Sequence, residues 1–470
     1  MNIWITKSPD QIFAATQHTQ LKKNLTAFDL AALGIGSVVG TGIFVATGQG
    51  AQLAGPGVLL SFIVAAITCG FCALTYSELA CMFPIAGSTY SYTYVAFGEV
   101  IAWIIGWDLM LEYLVAASAV ASGWSSTFIG LLQSAGLRLP KTILLPPITT
   151  NAAGRIVWSG GVIDVPAVLI TLFITWILFV GIRESARFNN IIVLIKILVI
   201  LLFVFLGVSH ISLSNLHPLM PFGWKGVMAG AAIIFFAYIG FDAVSTAAEE
   251  TKNPKRDVPL GLMLCLGVVI VLYVTVAFVL TGLVPYKEID VGNALPAALA
   301  RVGIRWGGAL VATGAIIGMV STLLVTLYGQ VRIFMVMARD GLLPEAFAKV
   351  HPEHMTPHIC TWITGSLTAL IAGLFPLPLI IDLCNIGTLF AFILVSIGVI
   401  VLRRTRPEVE RRFKTPGVPF TPLVTVAFCF YLMYNLPRVT WIRFGGWMLA
   451  GLIIYFLYGV RHSKLQHPEK

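Results

Sequence analysis

Charge is what this chain has least of. Only 11% of its 470 residues are Asp, Glu, Lys or Arg, against 58% that are hydrophobic, whereas a soluble globular chain carries about 25% charged residues. So few charges cannot cover a water-facing surface of this size. No long polar stretch is available to form a separate soluble domain. The alternating pattern of a β-barrel is missing. No Gly-x-x-x-x-Gly-Lys-Ser/Thr run exists to cradle a nucleotide phosphate, which argues against an ATP-driven pump. The Gly-x-Gly at Gly34 follows no soluble strand, so a dinucleotide site is not expected, and the chain does not read as an enzyme. Cysteine is sparse: Cys69, Cys72, Cys81, Cys265, Cys360, Cys384 and Cys429 all fall in apolar stretches. They read as small buried hydrophobes without a disulfide framework. Cys69-x-x-Cys72 lacks a second ligand pair, and His351, His354 and His358 of one polar loop read as solvated, so no metal is expected. The N-terminus is polar before Phe28, so no cleavable leader is expected.

Long apolar runs are what is there. A hydrocarbon core roughly 30 Å thick takes about 20 residues of helix. Twelve stretches qualify: 28–53, 56–83, 98–132, 165–182, 188–209, 225–248, 259–283, 307–337, 358–376, 378–402, 419–437 and 440–460. Lipid offers a bare backbone no hydrogen bonds, so these are predicted to be helices. The fold class is an all-α integral membrane protein. Threaded from an inside N-terminus, the chain places about twice as many Lys and Arg inside as outside, including Arg403, Arg404, Arg406, Arg411, Arg412 and Lys414 of one loop. Both termini are therefore expected in the cytoplasm of a multi-pass plasma-membrane protein. The net charge of +9 follows from that asymmetry and does not imply nucleic acid.

Two spans are interrupted. The first reads Gly34-Ile-Gly-Ser-Val-Val-Gly-Thr-Gly-Ile-Phe44, with glycine at 34, 36, 40 and 42. Each glycine costs about 1 kcal/mol in a helix interior, so an unwound turn is expected. Close packing through small residues is the competing reading. The sixth reads Phe235-Phe-Ala-Tyr-Ile-Gly-Phe-Asp242, broken at Gly240 and Asp242. Breaks at corresponding positions of two successive five-helix sets point to a transporter's binding site. A half-helix beginning near Gly40 offers free N–H groups and a positive dipole end to a carboxylate. Half-helices ending near Val38 and Ile239 offer carbonyls to an ammonium. Together they suit a zwitterionic α-amino acid.

At these residues the chain resembles the amino acid–polyamine–organocation superfamily, and within it the cationic amino acid transporter family and its bacterial relatives. The two interrupted runs carry the likeness, as do Tyr76-Ser-Glu-Leu-Ala, Pro84-Ile-Ala-Gly-Ser-Thr-Tyr-Ser-Tyr, Gly98-Glu, Gly106-Trp-Asp-Leu-Met-Leu-Glu-Tyr, Glu249-Glu-Thr-Lys-Asn-Pro, and Gln330-Val-Arg with Met337-Ala-Arg-Asp-Gly-Leu-Leu-Pro. The resemblance covers nearly the whole chain. It implies a five-plus-five inverted repeat with broken helices one and six, two C-terminal helices, and alternating access around a central site. In this sequence that means an N-terminal segment 1–27, repeats 28–209 and 225–402, a basic loop 403–418, two further helices 419–460 and a tail 461–470. It also implies carboxylate binding at Gly40, Thr41, Gly42 and Ile43, amine binding at Val38, Phe236 and Ile239, and an aromatic gate at Phe236.

Ionisable residues inside spans carry the remaining expectations. Lys196 sits roughly 12 Å and 18 Å from the two ends of span five at 1.5 Å per residue, beyond the reach of its own stem. It is either a structural lysine bound to carbonyls or a proton carrier; relatives with a lysine here are similar in being proton-coupled. Asp108 and Glu112 share a helix face and are candidate pathway carboxylates with Asp242, which alternatively caps backbone. Glu78, Glu249 and Glu250 read as gates or packing polars. Ser321 leaves room for a substrate side chain, or packs closely beside Gly318. The expected activity is secondary transport of a small neutral or cationic L-amino acid, with a proton as coupling ion, no other cofactor, and the bilayer and substrate as the expected partners. A channel, an exchanger and a ligand sensor without flux are the alternatives.

Overall fold

The computed structural model describes residues 3–8, 25–83, 88–137, 139–150, 156–181, 186–247 and 251–467. Glu249, Glu250 and the Pro84–Gly87 part of one family motif lie outside them. Among the described residues, seven helical stretches are long and apolar enough to cross a membrane: Gly42–Met82, Glu99–Ser134, Asn190–Val208, Arg256–Leu283, Arg305–Arg339, Leu377–Thr405 and Arg438–His462. Five shorter apolar helices accompany them: Ala27–Val38, Val165–Val180, Gly223–Tyr238, His358–Leu374 and Phe420–Tyr434. Each of the twelve expected spans corresponds to one or more of these stretches.

The helices begin and end where local chemistry dictates. The first, α1 (Ala27–Val38), opens on a reciprocal cap in which Thr26 and Asp29 bond each other's backbone N–H. The chain bends at Val39 and Gly40, makes a wide π-turn over Gly42–Ala46, and continues as α2 (Thr47–Ala54). Next come α3 (Val58–Met82), the short α4 (Ser88–Phe97) and the 36-residue α5 (Glu99–Ser134). The connection after α5 carries a small hairpin, β1 (Ile148–Thr150) antiparallel to β2 (Ile156–Trp158), with Thr149 opposite Val157. The all-α expectation is refined there: two three-residue strands pair in the loop, β2 exposed and Ile148 and Thr149 of β1 half-buried. Asp164 caps α6 (Val165–Val180) by accepting from Ala167 N at 3.1 Å. Then follow α7 (Ala186–Val208) and α8 (Gly223–Ile234), which passes into a 3₁₀ turn at Phe235–Tyr238. After the one-turn α9 (Ala243–Thr246) come α10 (Pro254–Leu283), α11 (Ala294–Arg301), α12 (Arg305–Arg339), α13 (His358–Leu374), α14 (Leu377–Thr405), α15 (Phe420–Tyr434), α16 (Arg438–Ile454) and α17 (Val460–His462).

Two apolar cores organise the bundle. The larger runs through both interrupted helices; the smaller lies between α4, α5, the C-terminal end of α12 and the end of the chain. Both chain ends meet on that smaller core. The carbonyls of Ile5 and Ile3 accept from Glu99 N (3.0 Å) and Val100 N (3.1 Å), supplying partners for the first amides of α5. Gly98 has φ +91°, and a Cβ there would lie 2.6 Å from Trp4 O, so glycine is required twice over. Buried Glu99 accepts from Tyr94 Oη (2.8 Å), Tyr455 Oη (2.9 Å), Gln466 Nε2 (2.7 Å) and Ser463 Oγ. Lys7 Nζ bonds Asp340 at 2.6 Å, Tyr90 Oη reaches the same carboxylate at 2.7 Å, and Lys464 N donates to Asp340 O at 3.1 Å. The two termini therefore lie on the same side of the bundle.

Candidate functional site

Gly42 packs directly on the second break. A Cβ on Gly42 would lie 2.3 Å from Ala237 Cα, so only a hydrogen lets the two interrupted helices cross this closely. Gly240, with φ +109°, turns the chain after the 3₁₀ segment, and its missing Cβ leaves space for Ser37 Oγ at 2.7 Å. The glycines thus serve both expected purposes, bending the backbone and bringing the breaks together.

The backbone around the breaks is held from several helices. Tyr273 Oη on α10 donates to Val38 O at 3.0 Å. Phe236 O accepts Ile239 N at 3.3 Å, and Ile239 itself is extended. Thr47 Oγ1 donates to Ile43 O at 2.8 Å. Thr41 is buried, with Oγ1 3.4 Å from Met319 Sδ of α12, and it fills the space left by Gly123 of α5. Gly40 faces Thr322, whose Oγ1 lies 3.0 Å from where a Cβ would be. Val38, Gly40, Thr41, Gly42, Ile43 and Phe236 are all buried, and Ile239 is half-buried. Ser321 is buried on α12 between Val320 and Thr322; among the described residues it makes no hydrogen bond to either break.

Lys196 is wholly buried on α7, and its Nζ donates to Gly36 O at 2.6 Å and to Thr322 Oγ1 at 2.9 Å. Thr322 Oγ1 in turn lies 3.2 Å from Gly318 O and 3.5 Å from Val39 O. Gly318 exists for this lysine: a Cβ there would meet Lys196 Cγ at 2.9 Å and Cε at 3.1 Å. The lysine anchors the last turn of α1, immediately before the break.

Two carboxylates lie further along α5, toward its N-terminal half. Asp108 and Glu112 are buried against α14: a Cβ on Gly387 would lie 2.8 Å from Asp108 Oδ1 and 3.8 Å from Glu112 Cβ. Among the described residues, neither oxygen of Asp108, nor Glu112 Oε2, has a hydrogen-bond partner. Asp242 is buried at the N-cap position of α9, directly after the second break. Glu78 is a packing polar: it takes Arg403 through two bonds (2.9 and 2.7 Å) and Thr415 N at 2.7 Å, joining the ends of α3 and α14. His351 of the polar loop staples its turn. His351 Nδ1 accepts from Glu353 N (3.2 Å) and His354 N (3.3 Å), which commits that lone pair to backbone.

Sequence reasoning missed Tyr273, Thr322 and Asn385. Asn385, fully buried on α14, donates through Nδ2 to Ala232 O (2.8 Å) and Ile233 O (3.3 Å) at the end of α8. A lone asparagine in the apolar run 378–402 was the available signal. Tyr273 and Thr322 left none, since their types are common in such helices.

Two apolar helices that break where they cross, inside a bundle with too few charges to face water, define a polytopic membrane protein built around an internal site. The chain belongs to the amino acid permease family, whose model matches residues 25–457. It is 47% identical to the branched-chain amino acid permease BcaP of Bacillus subtilis (strain 168), over 99% of each chain. It is also 47% identical to the methylthioribose transporter of the same organism, over 99% of this chain and 100% of that one. The human cationic amino acid transporter 4 is 30% identical over 97% of this chain and 90% of its own. The resemblance read from the motifs is borne out. The chain is a membrane-spanning member of a transport family and not an enzyme.

Proposed function

We propose that this protein is a proton-coupled symporter that carries a neutral, branched L-amino acid inward across the plasma membrane by alternating access. The observation that carries this reading is the contact between the two breaks, with Lys196 bonded to the carbonyl of Gly36 beside the first of them. The fold is taken as twelve spans: two inverted five-helix repeats, 28–209 and 225–402, and two further helices within 419–460. Both termini are cytoplasmic. Their meeting at Glu99 and Asp340 supports an even number of spans, and the basic loop 403–418 supports the inside orientation.

In this reading the amides around Gly40, Thr41, Gly42 and Ile43 receive the substrate carboxylate. The carbonyls of Val38, Phe236 and Ile239 receive the ammonium. Tyr273 and the Ile239 amide occupy one lone pair of Val38 O and of Phe236 O, and a carbonyl has two. Val38, Ile43, Phe236 and Ile239 offer apolar surface to an aliphatic side chain, which agrees with the BcaP relative. Protonated Lys196 holds the end of α1 by charge-assisted hydrogen bonds, and deprotonation weakens that hold. A proton thereby biases the element that forms the substrate site, as coupling requires.

The equally similar methylthioribose relative favours a second reading, a sugar thioether with an apolar tail and neither carboxylate nor ammonium. Purified protein in liposomes, offered the twenty amino acids and methylthioribose with and without an inward proton gradient, separates the two. Saturable, gradient-driven uptake of leucine, isoleucine or valine supports the first. Uptake of methylthioribose alone replaces it with the second.

A further inference from the structure

We infer that Asn385 is a positioning residue for the substrate site, acting through the helix end that carries Phe236. This rests on the proposed placement of the site at the two breaks. The α-helix α8 stops at Ile234 and the chain tightens into the 3₁₀ turn Phe235–Tyr238. Where an α-helix changes to tighter winding, its last carbonyls lose their regular partners and need others. Asn385 supplies them, with one amide nitrogen bonded to both Ala232 O (2.8 Å) and Ile233 O (3.3 Å) from a neighbouring helix. Those carbonyls lie three and four residues before Phe236.

Asn385 pays for this placement. Its own Oδ1 is sealed from water without a protein partner. A leucine of similar size would avoid that cost. The asparagine is therefore accounted for by its N–H donors, which among the described residues only the end of α8 uses. α14 is also the helix that packs on Asp108 and Glu112, through Gly387. It is thus placed to fix the second break relative to α5.

The test compares Asn385→Ala with Asn385→Asp, the latter matching the original in shape while its ionised form has no donor. Leucine uptake into liposomes gives KM and maximal rate; thermal unfolding in detergent gives stability. At about pH 7.5 both variants are expected to raise KM about tenfold, the effect of one to two lost hydrogen bonds. Lowering the pH to about 5.5 protonates the introduced carboxyl and restores one O–H donor. The KM of Asn385→Asp, as a ratio to the parent at the same pH, then falls back toward one, while the ratio for Asn385→Ala stays constant. The titratable groups around this stretch are Asp108 and Glu112 from α5, Asp382 and Cys384 on α14, and Asp242 after the second break. All are present in the parent and both variants, and the ratio for Asn385→Ala, which adds no charge, shows their own contribution. Parental KM in Asn385→Ala at both pH values overturns the inference, as does a loss confined to thermal stability. If the parent itself takes up only methylthioribose, the substrate reading fails, and the same series run with methylthioribose still decides the role of Asn385.

Discussion

At the scale of single residues, the polar groups of the site are few and each has a packing counterpart. Lys196 needs Gly318 to pass α12 and Thr322 to share its ammonium. Thr41 needs Gly123. Ser321 sits among these residues, one position from Thr322, and the proposed site would use its small size as room for a substrate side chain. Ser321→Met is expected to exclude leucine and isoleucine while retaining alanine and glycine, read as competition against labelled substrate. Equal competition by long and short amino acids in both proteins makes Ser321 a packing residue only.

At the scale of elements, the central object is the crossing of two interrupted helices. Gly42 touches Ala237 backbone, with 2.3 Å between a would-be Cβ and Ala237 Cα, and backbone cannot move aside as a flexible side chain can. Gly42→Val must therefore push α8's 3₁₀ turn away from the π-turn. Substrate binding is expected to be lost, with a fall in melting temperature, while the protein remains extractable in detergent. Retained affinity in Gly42→Val would remove the site from this crossing. Much of this was legible in the sequence: four glycines in the first span and Gly240 with Asp242 in the sixth marked both breaks. A lone cation in an apolar span marked Lys196. The partners were not legible. That Tyr273 reaches Val38, Asn385 reaches α8 and Gly318 admits a lysine depends on which helices are neighbours, and local pattern does not encode that. The π-turn at Gly42–Ala46 and the hairpin at 148–158 escaped for a related reason, since neighbouring contacts decide such short irregular elements.

At the scale of the whole molecule, the two chain ends close one face of the bundle over Glu99 and Asp340. Glu99 has four side-chain donors and no exposure to water. Removing its carboxylate leaves several buried donors without a partner, at about 1–3 kcal/mol for each one left unpaired. Glu99→Ala is expected to lower the melting temperature of the detergent-solubilised protein markedly. Deleting residues 461–470 should do the same through the same contacts, so the two changes together should cost less than their sum. Full additivity would mean that the tail and Glu99 stabilise the protein independently.

The account as a whole makes one element, the end of α1, answer to both proton and substrate. The direct test is leucine uptake into liposomes containing either the parent or Lys196→Ala, with and without an imposed inward proton gradient. The account predicts that the parent accumulates leucine only with the gradient and dissipates it in doing so. Lys196→Ala should bind leucine and equilibrate it across the membrane, because the proposed substrate contacts at the breaks are backbone, but should not concentrate it. Accumulation by Lys196→Ala at the parental rate, with collapse of the proton gradient, would contradict the account and send the proton through Asp108 or Glu112 instead.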